Sequence, residues 1–471
     1  MVYDSENHRF LAAAHLGVAI CEVLPNAKLL ESGLDAFGFF YRFKSPYDVK
    51  KEHLQEIERL ASLSLRGDDY RIMEMIPTNA KEFLDHHSQE LREIDFSQTT
   101  IYILKKGDFV DFIPARQIVD FSNSSIIQLE DIKKIHDDEY IIYAYSFKDK
   151  ADAKKFFKKL NEYKKNNHLA LLAKRNWYKD GLFLPNGEKF KNKLLSWYKK
   201  NIETLGYSLV EAYPKKHDAF LSLCDAKKFA EIIHLPEGVN ASLLEVKKTA
   251  SYETAFCEKK QLNEAFISSL QSMFKMLNML GFKISFALTP FRGKMKEMWY
   301  NVIKTTLDDL GVEIAENIDL TTSYELVLYA ANPMGQKWPV SSFQFKNDSF
   351  TSSFIISLER WIALVVESGV IPFELLPEQV RLIPLNKKYH QFAEKLKVKL
   401  QEKGLECSVD MSTAKLEDKI RESELQQIPY ISVIGDKEIE LDIVSIRNKQ
   451  GKLVPMSIEK LSEIKGYFES Q

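Results

Sequence analysis

Six runs near the end of the chain decide how it is read: QVRLIPL (379–385), HQFAEKLKVKLQEKG (390–404), LECSVDM (405–411), IRESELQQI (420–428), YISVIG (430–435) and LDIVSIRNKQGKLV (441–454). The first, third and fifth are short and apolar, as strands are. The second and fourth space their apolar residues at helical period, and the second closes on Gly404, the residue that best accepts a helix C-cap. The sixth reads as a hairpin or strand pair. A β-α-β-α-β-β order predicts a small doubly wound α/β domain of about 95 residues.

Working back from there, long helical stretches alternate with strands from about Glu188 to Val370. KFKNKLLSWYKKNIETLG (189–206) and QLNEAFISSLQSMFKMLNMLG (261–281) each close on Gly, and FKISFALTP (282–290) and SYELVLYAA (323–331) read as strands. Residues 150–178 read as one long amphipathic helix. Phe156, Phe157, Leu160 and Tyr163 share its apolar stripe, while Lys154, Lys155, Lys158, Lys159 and Lys165 point elsewhere. The helix leads into a predicted turn at Leu184-Pro185-Asn186-Gly187. Further back stand an Ala-rich helix (8–22) and a second helix over about 48–64, opened by Ser45-Pro46. Three β-rich runs follow, TTIYILKK (99–106), FVDFIP (109–114) and EYIIYAYSF (139–147), so the first region is α+β.

A chain of 471 residues suggests three or four domains. Its 45% apolar and 28% charged residues are those of a globular protein, not of a disordered or collagenous one. No run approaches the roughly 18 apolar residues needed to span a bilayer, and no export signal is visible at the N-terminus. Cys21, Cys224, Cys257 and Cys407 lie far apart, without a Cys-x-x-Cys pair, which fits a reducing compartment and no zinc ribbon. A cytoplasmic location is expected. The net charge of −2 hides an uneven distribution. Residues 148–200 hold sixteen Lys/Arg against five Asp/Glu, so this stretch carries +11 and the remainder −13. Such a stripe suits a polyanion such as nucleic acid, and equally a solvated helix face.

The last segment resembles the anticodon-binding domain of class II aminoacyl-tRNA synthetases, specifically that of threonyl-tRNA synthetase. The resemblance rests on Pro377-Glu-Gln-Val-Arg381, Lys415 with Lys419-Ile-Arg421-Glu422, Ile428-Pro429-Tyr430, Gly435-Asp-Lys-Glu438, and Ser445-Ile-Arg447 followed by Gly451-Lys452. It extends upstream through AAAHLGVAICEVLPNAKL (12–29), FGFFYRFKSPYDVKKEHLQEIE (37–58) and KKGDFVDF (105–112). The implied fold class is an α+β / α/β multidomain protein. Residues 1–149 are an editing-like α+β domain and 150–181 a basic linker helix. Residues 182–371 are a class II catalytic-like domain on an antiparallel sheet, and 372–471 an α/β anticodon-binding-like domain. The small β-grasp domain with which family members usually begin has no counterpart in this sequence.

The resemblance also assigns chemistry to positions, and many of them are altered. The family's editing pocket uses His-x-x-x-His and a later Cys-x-x-x-His; here the four positions read Leu11, His15, Ile113 and Gln117. A lone His15 cannot position and activate a water for ester hydrolysis. The family's zinc ion is held by one Cys and two His, and the two His positions fall on Thr254 and Thr351, with Cys224 only a loose candidate for the Cys. Zinc is therefore not expected. At the second class II motif, Glu245 falls at or beside the arginine that binds the ATP phosphate, which reverses the sign of that contact. Lys247 can offer only a point charge. The third motif keeps Ser357-Leu-Glu359-Arg360, but Ile356 replaces the glycine that admits the nucleotide. Arg360 is left either as a nucleotide contact or as a helix anchor, and ATP use is doubtful.

Features that would face tRNA remain. The resemblance places them on the lysine-rich stretch continuing to Lys200, and on Thr413, Lys415, Glu438 and Arg447 of the last domain. Glu438 and Arg447 are expected to contact base edges. The reading is a pseudoenzyme that binds tRNA as a regulatory or accessory factor and forms a homodimer. The alternatives are an interaction subunit pairing with a genuine synthetase through about Phe190–Pro214, and a residually active threonine–tRNA ligase.

Overall fold

The computed structural model describes residues 6–34, 37–64, 70–87, 99–107, 109–113, 126–210, 228–234, 243–246, 249–256, 259–289, 293, 296–312, 314–316, 325–346, 349–441, 443–447 and 453–457. The chain forms two compact units, Met1–Glu162 and Tyr163–Gln471.

The first unit opens with α1 (Glu6–Val23), β1 (Lys28–Leu34), β2 (Phe39–Lys44) and α2 (Lys51–Ser64). It continues with β3 (Arg71–Met75), α3 (Pro77–His86), β4 (Ile101–Lys106), β5 (Phe109–Ile113), β6 (Ile126–Lys134), β7 (Glu139–Phe147) and α4 (Lys150–Asn166). One antiparallel sheet runs β1-β2-β7-β6, and β3-β4-β5 form a smaller one. Leu16 and Ile20 of α1 and Ile57 of α2 pack on Phe39, Tyr41, Phe43 and Ile142, so both helices seal the same sheet face. Alanines suit α1 because it is buried from Leu11 to Ile20. At Gly17 even a Cβ would stand 2.5 Å from the Phe109 ring.

Two boundaries differ from expectation. The helix predicted over 150–178 is two helices, α4 and α5 (His168–Lys174). Asn167 divides them: its side chain accepts the Ala170 N–H at 2.9 Å and caps α5. Lys174 Nζ donates to the Lys165 carbonyl, covering the end of α4. The turn predicted at 184–187 is instead the start of α6 (Pro185–Thr204), with Leu184 as N-cap and proline where a missing N–H costs nothing.

The second unit adds β8 (Tyr178–Lys179), β9 (Leu182–Phe183), β10 (Ser208–Leu209), β11 (Lys228–His234), β12 (Thr249–Phe256), α7 (Lys259–Met279) and β13 (Lys283–Leu288). Then follow α8 (Asn301–Asp309), β14 (Ile314–Glu316), β15 (Glu325–Ala331), β16 (Lys337–Phe345), β17 (Ser349–Ser353) and α9 (Leu358–Ser368). Eight strands form one sheet in the order β10-β11-β12-β17-β16-β15-β13-β14. It is antiparallel except where β10 meets β11 and β13 meets β14. Alternation sorts its faces. Phe286, Leu326, Leu328, Phe343 and Phe350 turn inward and share a core with Phe266, Leu270 and Met273 of α7. Tyr252, Thr254, Thr351, Gln344 and Tyr329 occupy the other face.

The last domain contains β18 (Val380–Pro384), α10 (His390–Glu402), β19 (Cys407–Val409), α11 (Leu416–Leu425), β20 (Tyr430–Ile434), α12 (Asp436–Glu440), β21 (Ile443–Arg447) and β22 (Leu453–Ser457). Its sheet order is β19-β18-β20-β21-β22, with the first three strands parallel and the last two antiparallel. This is the α/β domain read from the sequence with one addition, the short α12. The multidomain class, mixed α/β with an antiparallel central sheet, holds.

A single carboxyl sits deep in the large sheet. Glu253 of β12 is fully buried and accepts hydrogen bonds from the Tyr198 hydroxyl of α6, from Ser352 Oγ at 3.0 Å and from the Phe354 N–H at 3.0 Å. Burial pushes its pKa up from the ordinary 4.5 to about 7, against the pull of these donors. The folded chain therefore binds this proton more tightly than the unfolded one. The contribution to stability is complete below about pH 4.5 and is lost as pH rises through about 7. A shift of that size corresponds to roughly 3 kcal/mol. Glu253→Gln, whose amide N–H can donate to Tyr198, should erase this pH dependence. In urea unfolding at pH 5 and pH 8, the variant should gain on the native chain at the higher pH; an unchanged gap would contradict the assignment.

Candidate functional site

In the last domain the chain reverses direction of winding between β18 and β20, which leaves a crevice outside their carboxyl ends. The segments lining such a crevice are 385–388 after β18, 410–415 after β19 and 435–438 after β20. Thr413 and Lys415 lie exposed in the second segment, Lys415 as the N-cap residue of α11. Lys419, one turn on, is buried, with Nζ donating to the Asp410 carbonyl at 3.2 Å. Glu438 is also buried. Its Oε2 accepts the Gly435 N–H at 3.0 Å and its Oε1 the Ser445 hydroxyl at 2.9 Å. These bonds explain why α12 forms: the carboxylate satisfies a donor at the helix start. Arg447 stands on β21, paired in register with Ile431 and Leu453; its side chain lies outside the described residues. Two side chains missed in the sequence, Leu385 and Met411, are exposed at the ends of neighbouring parallel strands. Their signal was an apolar residue placed just past a strand, available to stack against an unpaired base.

The basic stretch divides sharply. Lys154, Lys155, Lys158, Lys159 and Lys165 all lie exposed on α4, opposite buried Phe156 and Leu160. Their helix is seated in the first unit by an aromatic cluster in which Phe156 and Phe157 meet Tyr145 and Phe147. Much of the stretch beyond α4, expected to face tRNA as well, is engaged internally. Arg175 is buried, donates to Gln427 Oε1 and lies 5.0 Å from the Trp177 ring; burial lowers its pKa to about 10. Lys189 and Lys193 both pair with Glu406, and Lys193 also donates to the Glu374 and Leu376 carbonyls. These cations tie the linker and α6 to the last domain.

The open face of the eight-stranded sheet brings the altered positions together. Thr254 of β12 and Thr351 of β17 are direct cross-strand partners. Two ligands of one ion would need that adjacency, but these are neutral hydroxyls, a donor set unsuited to zinc. Among the described residues no three His, Cys, Asp or Glu side chains gather into a metal site; Cys224 and Lys247 lie outside the described residues. Arg360, at the start of α9, donates from Nε to the Leu244 carbonyl at 2.6 Å and from Nη1 to the Pro339 carbonyl at 2.7 Å. Its guanidinium lies 5.4 Å from the Trp338 ring. Burial lowers its pKa, and nearby Glu245 opposes the shift. Glu359 is buried and accepts the Thr249 N–H at 3.1 Å. The two side chains thus staple the strand entry at 244–249 to α9.

In the first unit, His15 is wholly buried in α1 with Nδ1 2.7 Å from the Tyr70 hydroxyl. Leu11, one turn before it, is core. Ile113 ends β5 with its side chain outside the described residues, as is Gln117. Nearby, the buried Asp111 accepts hydrogen bonds from Tyr41 at 2.6 Å and Ser32 at 2.9 Å.

Residues 379–464 match the anticodon binding domain family, so the crevice belongs to an anticodon-binding domain. The chain is related along nearly its whole length to threonine–tRNA ligases. It is 23% identical to that of Acetivibrio thermocellus, over 98% of this chain and 88% of the relative. It is 24% identical to one from Dehalococcoides mccartyi, over 96% and 94%. Among solved structures, the RNA binding domain of threonyl-tRNA synthetase from Cryptosporidium parvum shares the fold. Its TM-score is 0.55 at 17% identity, covering 64% of this chain and 98% of that one. A putative threonyl-tRNA synthetase from Aeropyrum pernix does so at 0.52 and 15%, covering 64% and 96%.

The geometry at Glu438 makes a thermodynamic prediction. Glu438→Ala leaves the Gly435 N–H without its acceptor and should lower unfolding free energy by about 1–3 kcal/mol. A side chain held out toward solvent would leave the denaturation midpoint unchanged.

Proposed function

We propose that this chain is a tRNA-binding protein built on a threonyl-tRNA synthetase framework, acting as a regulatory or accessory factor without aminoacylation or editing. The observation that carries the reading is the Thr254–Thr351 pair. The two positions meet on the open sheet face as a metal site would require, yet their hydroxyls give a divalent zinc ion neither charge nor imidazole nitrogen. Arg360 supports it, since two of its donors are spent on backbone carbonyls. So does His15, whose Nδ1 faces Tyr70 inside the core. Zinc is accordingly no part of the proposed function, and neither is ATP-driven chemistry.

Binding would use two surfaces. The anticodon-binding domain takes the loop bases through Thr413, Lys415 and Arg447, with Glu438 holding the turn beside them. The exposed lysines of α4 contact backbone phosphates, releasing counterions. A cytoplasmic location and a homodimer, or a pairing with a synthetase through the α6 surface, complete the reading. The residual-ligase reading draws on the relationship itself, which spans 98% of the chain and 88% of a threonine–tRNA ligase.

Filter binding of unfractionated tRNA at two salt concentrations tests the proposal. Tight, salt-sensitive binding is expected. Replacing Lys154, Lys155, Lys158 and Lys159 by Gln should weaken it roughly 10- to 100-fold and flatten the salt dependence by about 0.7–0.9 per lost phosphate contact. A native chain without affinity for tRNA would sink the reading and leave the partner-subunit alternative.

A further inference from the structure

The corner where α4 passes into α5 is built around one carboxylate. Glu367 lies in the last turn of α9 with its side chain fully buried, and its Oε1 collects the linker from both sides of the helix break. The Tyr163 hydroxyl of α4 donates to it at 2.8 Å, the His168 N–H of α5 donates at 3.0 Å, and His168 Nδ1 lies 2.7 Å away. Asn332, in the turn between β15 and β16, donates to the Tyr163 oxygen at 3.3 Å. Burial and the neighbouring carboxylate both raise the Tyr163 pKa, so the phenol remains a donor. Asn167 and Lys174 cap the two helix ends at the same corner. A buried carboxylate held by three donors from one segment is costly to leave unsatisfied and fixes geometry more tightly than apolar contact alone.

We infer that Glu367 is a positioning residue for RNA binding: it locks the α4–α5 corner so that the lysine-bearing helix meets RNA as a fixed array, not as a swinging arm. The inference rests on the tRNA-binding reading. Its physical basis is preorganisation. Lysines already held in place spend less conformational freedom on binding than lysines on a loose helix.

The test compares the native chain with Glu367→Ala, using unfractionated tRNA and an isolated anticodon hairpin as probes, and circular dichroism to confirm folding. The variant should bind tRNA about tenfold more weakly, with its salt dependence reduced, as when phosphate contacts are lost. Hairpin binding should be unchanged. In the background lacking Lys154, Lys155, Lys158 and Lys159, the same substitution should cost nothing further. Equal losses for both RNAs, or a loss that adds to that of the lysines, would overturn the inference while leaving tRNA binding in place. A native chain that ignores tRNA, or quadruple-lysine protein that binds like the native chain, would overturn the reading beneath it as well. Should Glu367→Ala fail to fold, Glu367→Gln and Tyr163→Phe carry the comparison; each should show a smaller loss on tRNA alone, and no such loss would overturn the inference.

Discussion

The eight-stranded sheet of the second unit must keep one face dry, and most of that unit follows from this constraint. Phe286, Leu326, Leu328, Phe343 and Phe350 are fixed on that face by strand alternation and bury against α7. A one-residue slip would turn them all toward water. Their cross-strand register therefore also fixes the opposite face, where Thr254 meets Thr351. Glu253, fully buried within the same unit, is tolerated because α6, β17 and the Phe354 backbone supply its donors.

Fold and chemistry can part company on such a scaffold. Stability depends on the dry face, while catalysis depends on a few side chains on the other, which can change with little cost to packing. Arg360 shows how a residue of the third motif acquires a purely mechanical use: it joins the Leu244 segment and β16 to α9 through backbone carbonyls. Glu359 does the same for Thr249. Surfaces that depend only on charge, such as the α4 lysines, need no precise partner geometry to stay useful.

Periodicity made the framework legible. The parallel strands of the last domain, the hairpin β21–β22 and the apolar stripe of α4 were all readable because each repeats at its own period. Local competition hid the rest. Asn167 broke a helix whose stripe continued past it, Pro185-Asn-Gly187 carried a turn's composition into a helix start, and α12 is five residues held by Glu438. At the site, the exposed lysines were legible from the helix, whereas the internal use of Lys189 and Arg175 was not. Their partners, Glu406 and Gln427, lie 217 and 252 residues away in sequence. Identity of a residue gives its chemistry, but only the fold says whether that chemistry is already spent.

The central claim is that this scaffold binds tRNA without activating an amino acid. Threonine-dependent exchange of pyrophosphate into ATP, measured on the purified native chain with zinc supplied, tests it most directly. The account predicts exchange no greater than a protein-free control. Exchange above that control, stimulated by threonine, would show that the open sheet face still forms an adenylate and would contradict it.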